Sequence, residues 1–394
     1  MKRVLTALII LATTVSCQSK SEPFTKGALE YCNSQILRTL DQITPSEYTT
    51  VPRNIAPGDT TWLMRNISER EWTAGFWPGV LWYGYEASGD ERILAEAKAY
   101  TEAMESISQG PAYDHDLGFL MYCSYGNGYR LTGDEKYKDV IVATADKLAT
   151  LFNPNVGTIL SWPNRVERFD GHNTIIDNIM NLEMMFFAKE NGGEQNLWDL
   201  SVIHADTTMK YHFREDGSSY HVVIYDIDKG GLKRQMTHQG YADDSMWARG
   251  QGWGIYGYTF CYRFTKDEKY LAFAQKLADL FLDRLPEDMI PYWDFDAPVT
   301  PETPRDASAA ALAASALIEL SDYVDAQRSE RYFSAAEAIL MELDKNYRSK
   351  SPALLDHSTG SHPGGYEIDY SIIYGDYYYI EALVKLDKYY ASRK

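Results

Sequence analysis

The chain of 394 residues is poor in cysteine. Its four cysteines, Cys17, Cys32, Cys123 and Cys261, are too few for the dense disulfide framework of a small secreted domain, and a chain of this length needs no such framework. None of them has a spacing to histidine that resembles a zinc site. We therefore expect buried thiols, with at most one disulfide among the last three, and no metal centre.

Positive charge is also scarce. Lysine and arginine total 38 against 56 aspartates and glutamates, which gives a formal net charge of −18, and the chain has no lysine- or arginine-rich run. Nucleic-acid surfaces need the opposite balance, so this composition argues against nucleic acid as a partner. It also argues against an extended groove for polyanions, although a small anionic ligand could bind beside a few local arginines or histidines.

The N-terminal stretch "MKRVLTALIILATTVSC" contains an apolar run that is too short to cross a bilayer. Lys2 and Arg3 precede the run and small residues lead to Cys17, which is the pattern of a secretory signal peptide. Cys17, followed by the polar "QSKSE", favours lipid attachment in the cell envelope of a Gram-negative bacterium. Plain cleavage to a soluble periplasmic enzyme is the alternative. The predicted boundaries are a signal at 1–17, a short tether at 18–27 and a folded domain at 28–394.

A repeated pair of helices organises the rest of the chain. The segments 87–104, 131–152 and 264–285 each contain a polar turn with Asp-Glu and then an amphipathic helix, and 328–347 is a weaker copy. A glycine- and aromatic-rich helix precedes each of the first three copies. Repeated helix pairs form a solenoid or a closed toroid. In a toroid the aromatic helices would form the inner ring, and their N-terminal ends would surround one mouth.

Few segments alternate like β-strands. The segment 218–235 predicts a small hairpin that turns at Gly230–Gly231. The proline-rich segment 294–315 predicts a loop that enters a helix, capped by Asp306 or Ser308. No linker divides the chain, so we predict one nearly all-α domain with a small β-hairpin excursion.

Carboxylates occur where two of the predicted inner helices begin. Asp177 opens the apolar segment "DNIMNLEMMFFAKE", and Asp114, His115 and Asp116 precede "LGFLMYCSYGNGYRL". Each aspartate could simply cap its helix. Alternatively, Asp114 or Asp116 pairs with Asp177 across the mouth. Two neighbouring carboxylates cannot both ionise freely, so one would keep a proton at neutral pH and could act as an acid.

Arg249 is the candidate cation of the mouth. It lies between Trp247 and Trp253 in the glycine-rich motif "WARGQGWG". In such a setting the guanidinium can present two parallel donors to a carboxylate of a ligand. The alternative is a structural ion pair with Asp243 or Asp244.

Aromatic side chains are abundant, with 30 tyrosines and 9 tryptophans. Aromatic faces pack well on the apolar faces of sugar rings, and "WTAGFWPG" offers Trp72, Phe76 and Trp77 for this purpose. Most of these rings are equally explained as core residues. His221 and His238 are, from pattern alone, more typical of satisfied polar residues than of catalytic ones.

Six ordered motifs together identify a family resemblance over roughly residues 28–388. They are "WTAGFWPG", "HDLGF", "DNIMNL", "SSYHVV", "THQGYADDSMWARGQGW" and "GSHPGGYEIDYSIIYGDYYYIEAL". The chain resembles the unsaturated glucuronyl hydrolases, glycoside hydrolase family 88. The resemblance implies an (α/α)6 toroid and an enzyme that acts on small anionic oligosaccharides left by polysaccharide lyases. Such enzymes release the terminal 4,5-unsaturated uronic acid by hydrating its C4=C5 double bond, without a cofactor or metal.

The resemblance also implies roles for single residues. The "DNxMN" carboxylate falls on Asp177, which would protonate C4 and activate water for C5, and the "HDxGF" carboxylate falls on Asp116, which would act beside it. The implied substrate-binding residues are His221, Gln239, Arg249, Trp253, Trp247 and Trp72. Where the family commonly reads "NLPLL", this chain reads "NLEMM", and Glu183 and Met184 are expected to reshape the adjoining wall. The loop 356–365 is expected to set sulfate and linkage preference.

Three other functions remain open at this point. An unsaturated rhamnogalacturonyl hydrolase would perform the same hydration on pectin fragments. An inverting glycosidase on intact glycans would need a second carboxylate to activate water at the anomeric carbon. A non-catalytic glycan-binding lipoprotein would keep its affinity when Asp177 is replaced.

Overall fold

The computed structural model describes residues 24–43 and 47–392. The predicted signal, its lipidation site Cys17 and the tether up to residue 23 lie outside the described residues. The helices are α1 (Phe24–Gln42), α2 (Phe76–Ser88), α3 (Glu91–Glu102), α4 (Asn127–Thr132), α5 (Glu135–Ala149), α6 (Val166–Phe169), α7 (Leu182–Glu190), α8 (Gln195–Tyr211), α9 (Ala248–Thr265), α10 (Glu268–Asp283), α11 (Ala307–Ser321), α12 (Ala326–Asn346) and α13 (Ile373–Ser392). Helix α1 thus begins inside the segment predicted as a tether.

Six helix pairs close into a toroid, as the repeats predict. The outer helices are α1, α3, α5, α8, α10 and α12. The inner ring consists of α2, a π-helical segment (Gly118–Gly126) continued by α4, a 3₁₀ segment (Ile176–Asn181) continued by α7, and then α9, α11 and α13. Each inner member packs on the next, and α13 packs on both α11 and α2. The ring is therefore closed, and the predicted (α/α)6 architecture is confirmed.

The Asp-Glu turns of the repeats are helix N-caps. Asp90, Asp134, Asp267 and Asp325 each accept hydrogen bonds from backbone N–H groups in the first turn of the outer helix that follows. A capping carboxylate satisfies donors that the helix cannot satisfy itself. The Asp-Glu turn therefore starts α3, α5 and α10, and Asp325, which is followed by alanine, caps α12 in the same way.

The inner helices pack tightly because their glycines admit neighbouring groups. A Cβ on Gly79 of α2 would lie 2.8 Å from the carbonyl oxygen of Cys123 on the adjacent inner segment. The three cysteines of the described chain, Cys32, Cys123 and Cys261, are buried free thiols, as expected. No helix in the described part of the chain is long and apolar enough to span a membrane.

Short strands surround one end of the toroid. They are β1 (Thr50–Ile55), β2 (Leu63–Asn66), β3 (Phe152–Asn153), β4 (Thr158–Ile159), β5 (His172–Ile175), β6 (Val222–Tyr225), β7 (Leu232–Met236), β8 (Ser358–Ser361) and β9 (Tyr366–Ile372). Sheets form in the order β2-β1-β9-β8 and β5-β6-β7, and β3 pairs with β4. Strand β9 runs directly into α13 and β5 into the 3₁₀ segment, so these sheets border the mouth where the inner helices begin.

The predicted hairpin is β6–β7, but it belongs to a larger sheet that was not predicted. Strands β5 and β6 are buried at every position, so neither shows the alternation that identifies a half-buried strand. The prediction of a single hairpin was therefore incomplete.

The structure confirms the predicted cap of α11 and decides against the capping alternatives for the other aspartates. Asp306 caps α11 by accepting from the backbone N of Ser308 at 3.1 Å. Asp177 lies inside the 3₁₀ segment and caps no helix. Neither Asp114 nor Asp116 caps the π-helical segment, because the N–H of Gly118 donates to the side chain of Asn181 at 2.8 Å.

Candidate active site

A cavity of about 250 Å³ opens at the mouth of the inner ring. Five of the eight residues predicted from the family resemblance to act in catalysis or substrate binding line it: Trp72, Asp116, Asp177, Gln239 and Arg249. The other three, His221, Trp247 and Trp253, are buried in the wall behind it. The segments that are far apart in the chain thus meet at one place.

Asp177 is a buried carboxyl group at the start of an inner helix. Strand β5 delivers it, since the following Ile176 donates its N–H to the carbonyl oxygen of His221 at 2.9 Å. Burial raises the pKa of Asp177 to about 7, although Arg249 and the indole N–H of Trp253 act in the opposite direction. Its Oδ2 has no hydrogen-bond partner within the described part of the chain. Asp177 can therefore hold a proton near neutral pH and release it to a ligand.

Asp116 is the second carboxyl of the cavity. Burial, followed by the negative charges of Asp114 and Asp177, raises the pKa of Asp116 well above its usual value, while Arg53 opposes the rise. Asp114 accepts from the backbone N of Asp116 at 3.1 Å and so shapes the loop that carries it. The structure thus brings Asp116 and Asp177 into one cavity, where both pKa values are raised and the charge of Asp177 contributes to the rise at Asp116.

His221 is a neutral hydrogen-bond donor directed at Asp177. Its Nδ1 accepts from the backbone N–H groups of His238 (3.2 Å) and Gln239 (3.0 Å), so its proton lies on Nε2. That Nε2 is 3.9 Å from Asp177 Oδ2 and is buried without a hydrogen-bond partner among the described residues. Burial and the neighbouring His238 lower the pKa of His221 well below its usual value. The imidazole is therefore uncharged.

Arg249 is held by the protein on both terminal nitrogens. Nη1 donates to Asp306 at 2.8 Å and to the carbonyl oxygen of Thr359 at 2.5 Å, and Nη2 donates to that of Gly360 at 2.7 Å. The alternative of an ion pair with Asp243 or Asp244 was wrong, because the partner is Asp306. Arg249 ties β8 to the N-terminal end of α11 through three of its five N–H donors, and it also lines the cavity.

Two cations that the sequence did not single out line the cavity. Arg165 donates from Nη1 to His238 Nε2 at 3.2 Å, and its guanidinium lies 4.6 Å from the ring centre of Trp162. The guanidinium of Arg70 lies 5.1 Å from the ring centre of Tyr113. Neither arginine forms an ion pair with a carboxylate in the described part of the chain. They are the cations available to an anionic ligand.

The aromatic walls differ from those expected. Trp72 lines the cavity. Trp253 is fully buried between Phe119 and Tyr378, and Trp247 packs on His221 with ring centres 4.5 Å apart. These two tryptophans support the site from behind instead of facing a sugar. Further rings that line the cavity are those of Trp162, Tyr113 and Tyr366.

The sequence contains only a weak indication of the lining residues that were not predicted. Trp162, Asn164 and Arg165 belong to the short motif "WPNR", in which an aromatic residue and a cation flank a proline-initiated turn. Tyr366 directly follows the loop 356–365, whose carbonyl groups bind Arg249. That loop therefore lies against the cavity, and whether it sets sulfate preference stays a prediction.

Glu183 does not shape the wall of this cavity, and that expectation was wrong. Its side chain lines a second cavity of about 450 Å³ around the axis of the toroid, where it forms an ion pair with Arg263. Met184 is a buried core residue. In the described residues, no three histidine, cysteine, aspartate or glutamate side chains are grouped as metal ligands.

Comparison with known proteins gives a consistent result. The profile described as Glycosyl Hydrolase Family 88 matches residues 49–390. An unsaturated glucuronyl hydrolase from Formosa agariphila is 42% identical over 329 residues, 82% of this chain and 81% of that protein. An unsaturated chondroitin disaccharide hydrolase from Streptococcus pyogenes serotype M1 is 35% identical over 331 residues, 82% of each chain. A crystal structure of an unsaturated glucuronyl hydrolase specific for heparin superposes with a TM-score of 0.86 at 42% identity, covering 93% of this chain and 98% of that one.

Proposed function

The chain belongs to glycosyl hydrolase family 88, and from this premise we propose that it is an unsaturated glucuronyl hydrolase. It removes the 4,5-unsaturated uronic acid from the non-reducing end of oligosaccharides produced by polysaccharide lyases. The observation that carries the proposal is that two buried carboxyl groups, Asp116 and Asp177, line one cavity, where burial raises the pKa of Asp177 to about 7.

Asp177 performs the proton transfers. The C4=C5 bond of the substrate is a vinyl ether, so it needs an acid at C4 and water at C5. Asp177 gives its proton to C4, and the carboxylate that remains takes a proton from the water whose oxygen adds to C5. Asp177 is then protonated again, and the hydrated sugar is a hemiketal that opens and releases the shortened oligosaccharide. A group with a pKa of about 7 suits both steps, because neither its acid nor its base form is strongly favoured.

The second carboxyl and the histidine stabilise the charges that form. Positive charge develops at C5 when C4 is protonated, and an ionised Asp116 stabilises it through space. The Nε2–H of His221 faces Asp177 and stabilises its carboxylate after the proton has left.

The substrate is an anion of the glycosaminoglycan type. Arg70 and Arg165 line the cavity without carboxylate partners in the described chain and attract the uronate. The relatives named above act, by their names, on glucuronyl, chondroitin-disaccharide and heparin substrates. We therefore place unsaturated glycosaminoglycan disaccharides first among the substrates to be tested.

Replacing Asp177 by asparagine tests the proposal. Purified protein is mixed with lyase-made unsaturated disaccharides, and loss of the ultraviolet absorbance of the conjugated uronate is followed. The native chain consumes the absorbance, and Asp177→Asn lowers kcat by about 10²–10⁴-fold, the usual contribution of a positioned acid–base group. The control is Asp139→Asn, the same change on an exposed outer-helix residue, which keeps native activity.

The alternatives give different results in the same experiment. Activity only on pectin-derived unsaturated fragments identifies a rhamnogalacturonyl hydrolase. Cleavage of a saturated disaccharide identifies an ordinary glycosidase. Glycan binding that survives Asp177→Asn without any turnover identifies a binding protein. Cleavage of a saturated disaccharide, or binding without turnover, contradicts the proposal.

A further inference from the structure

His115 is buried beside Asp116. Its hydrogen bonds show which of its two ring nitrogens carries the proton. The backbone N–H of Gly118 donates to Asn181 Oδ1 at 2.8 Å. A backbone amide can only donate, so this bond fixes the orientation of the Asn181 amide and makes its Nδ2 a donor. Asn181 Nδ2 lies 3.2 Å from His115 Nδ1 and 3.1 Å from Asn178 Oδ1. His115 Nδ1 therefore accepts, and the proton of the neutral ring lies on Nε2.

The Nε2 of His115 is directed at the catalytic pair. It lies 3.5 Å from Asp116 Oδ1, slightly longer than an N–H···O hydrogen bond, and has no hydrogen-bond partner within residues 24–43 and 47–392. His115 and Asn181 are both fully buried. A Cβ on Gly118 would lie 2.6 Å from Asn181 Oδ1, so the glycine is needed for this contact. The motifs "HDLGF" and "DNIMN" are thus in contact through His115 and Gly118 of the first and Asn181 of the second, and none of these is a catalytic carboxyl.

We propose that Asn181 and His115 form a positioning relay that presents the Nε2–H of His115 to Asp116, so that Asp116 is the ionised member of the pair and the shared proton resides on Asp177. The inference rests on the proposed function, since it explains how the proton reaches the group that must deliver it to C4. Neither residue is assigned contact with the substrate.

The surroundings of Asp116 show why such a donor is needed. The charged groups around it are Asp114, Asp177, Arg53 and Glu71, and together with burial they favour its protonated form. A hydrogen bond to the carboxylate of Asp116 favours its ionised form and so leaves the proton on Asp177.

His115 itself stays neutral while the pair titrates. Burial lowers the pKa of His115 to about 3. The pKa values of His204 and His221, which interact electrostatically with His115, are also lowered. The relay therefore supplies an N–H dipole of fixed direction, not a charge that would change with pH.

Two substitutions separate the relay from simple packing. In His115→Gln the amide nitrogen reaches the position of imidazole Nε2 and keeps a donor for Asp116. In His115→Asn the side chain reaches only the Nδ1 position and leaves Asp116 without a donor. We expect His115→Asn to lower kcat by about 10- to 100-fold, the effect of losing a hydrogen bond to a charged group, with little change in KM. His115→Gln restores most of the loss.

The dependence of kcat on pH distinguishes the relay from a packing role, because a loss of packing alone would not shift the acid limb of the profile. Loss of the donor raises the pKa of Asp116, so the acid limb of kcat against pH moves to higher pH in His115→Asn and stays near the native position in His115→Gln. Asp139→Asn, a change on the exposed face of an outer helix, serves as the control. Equal impairment of both His115 variants, or an unmoved acid limb in His115→Asn, overturns the relay.

The tautomer can be read without any activity. In protein labelled with ¹⁵N-histidine, the ring signals of His115 are identified by their absence from His115→Gln. The relay requires the Nε2–H tautomer in the native protein, and an Nδ1–H tautomer overturns it. Because this measurement needs no turnover, its failure is distinct from failure of the proposed function, in which the native chain would leave unsaturated disaccharides intact.

Discussion

At the scale of single residues, Asp177 is an acid in a place that disfavours its charge. Burial raises its pKa from the usual 3.8 to about 7, so the folded chain binds a proton that the unfolded chain releases. A group of this kind contributes its full stability below the unfolded pKa and loses it as pH rises through the folded value. The carboxyl that suits the chemistry therefore lowers the stability of the fold at neutral and higher pH.

The expected consequence is that Asp177→Asn stabilises the protein in a pH-dependent way. Asparagine cannot ionise, so the variant avoids a cost of roughly 1.4 kcal/mol per unit of pKa shift. The melting temperature of the variant should equal that of the native chain near pH 4 and exceed it increasingly up to pH 8. Asp139→Asn, on the exposed face of an outer helix, should show no such growing difference. A difference that shrinks as pH rises would contradict the assignment.

Single residues of the site differ in how well the sequence predicts their roles and partners. Asp177 and Asp116 could be predicted because each belongs to a short motif whose residue types are tied to the chemistry. The partner of Arg249 could not, because Asp306 is 57 residues away in the chain and is also the N-cap of α11. The nearer aspartates, Asp243 and Asp244, were the natural but incorrect choice. Contacts between distant elements depend on the packing of the ring, which local pattern does not contain.

At the scale of elements, three inner helices share a network of charges. Arg263, in the last turn of α9, pairs with Glu183 on α7 and with Glu319 on α11, the latter at 3.0 Å. A cation in the last turn also complements the partial negative charge of the helix end. Three neighbouring inner helices are thereby joined around the axial cavity, at the end of the toroid opposite the catalytic pair.

Arg263→Met should therefore destabilise the fold without altering the chemistry. Removing Arg263, whose side chain is 31% exposed, leaves two carboxylates uncompensated. Because the network is only partly buried, we expect a cost below the about 3–5 kcal/mol that is typical of a fully buried pair. Urea unfolding measures the free energy of unfolding, and kcat per folded molecule should stay at the native value. Glu183→Gln is the milder control, since Arg263 keeps Glu319. A large fall in kcat at unchanged stability would show that this end of the toroid communicates with the mouth.

Helices and strands differed in how well they could be predicted. The outer helices α3, α5, α10 and α12 were found because each combines a capping aspartate with apolar residues at helical spacing. Strand β5 was missed because it is buried at every position, and β1 and β9 because they pair with each other across almost the whole length of the chain. The sheets that border the site are thus products of the tertiary fold.

At the scale of the whole molecule, the net charge opposes the substrate. The chain carries a formal charge of −18, whereas the arginines without carboxylate partners that line the cavity, Arg70 and Arg165, act only at short range. At about 0.01 M salt the screening length is roughly 30 Å, and the entire acidic surface repels an approaching anion; at 0.15 M it is roughly 8 Å, and only groups near the cavity are felt. Salt should therefore weaken the repulsion more than the local attraction.

We accordingly expect KM for an unsaturated disaccharide to fall, by roughly two- to fivefold, when ionic strength rises from low to physiological values. The fall should be larger for a sulfated disaccharide, which carries more negative charge, while kcat changes little because the chemical step occurs inside the cavity. Arg165→Gln should raise KM at every salt concentration without reversing the trend, since it removes local attraction only. A KM that rises with salt in the native enzyme would instead show that Arg70 and Arg165 dominate the field at the mouth, despite the acidity of the molecule as a whole.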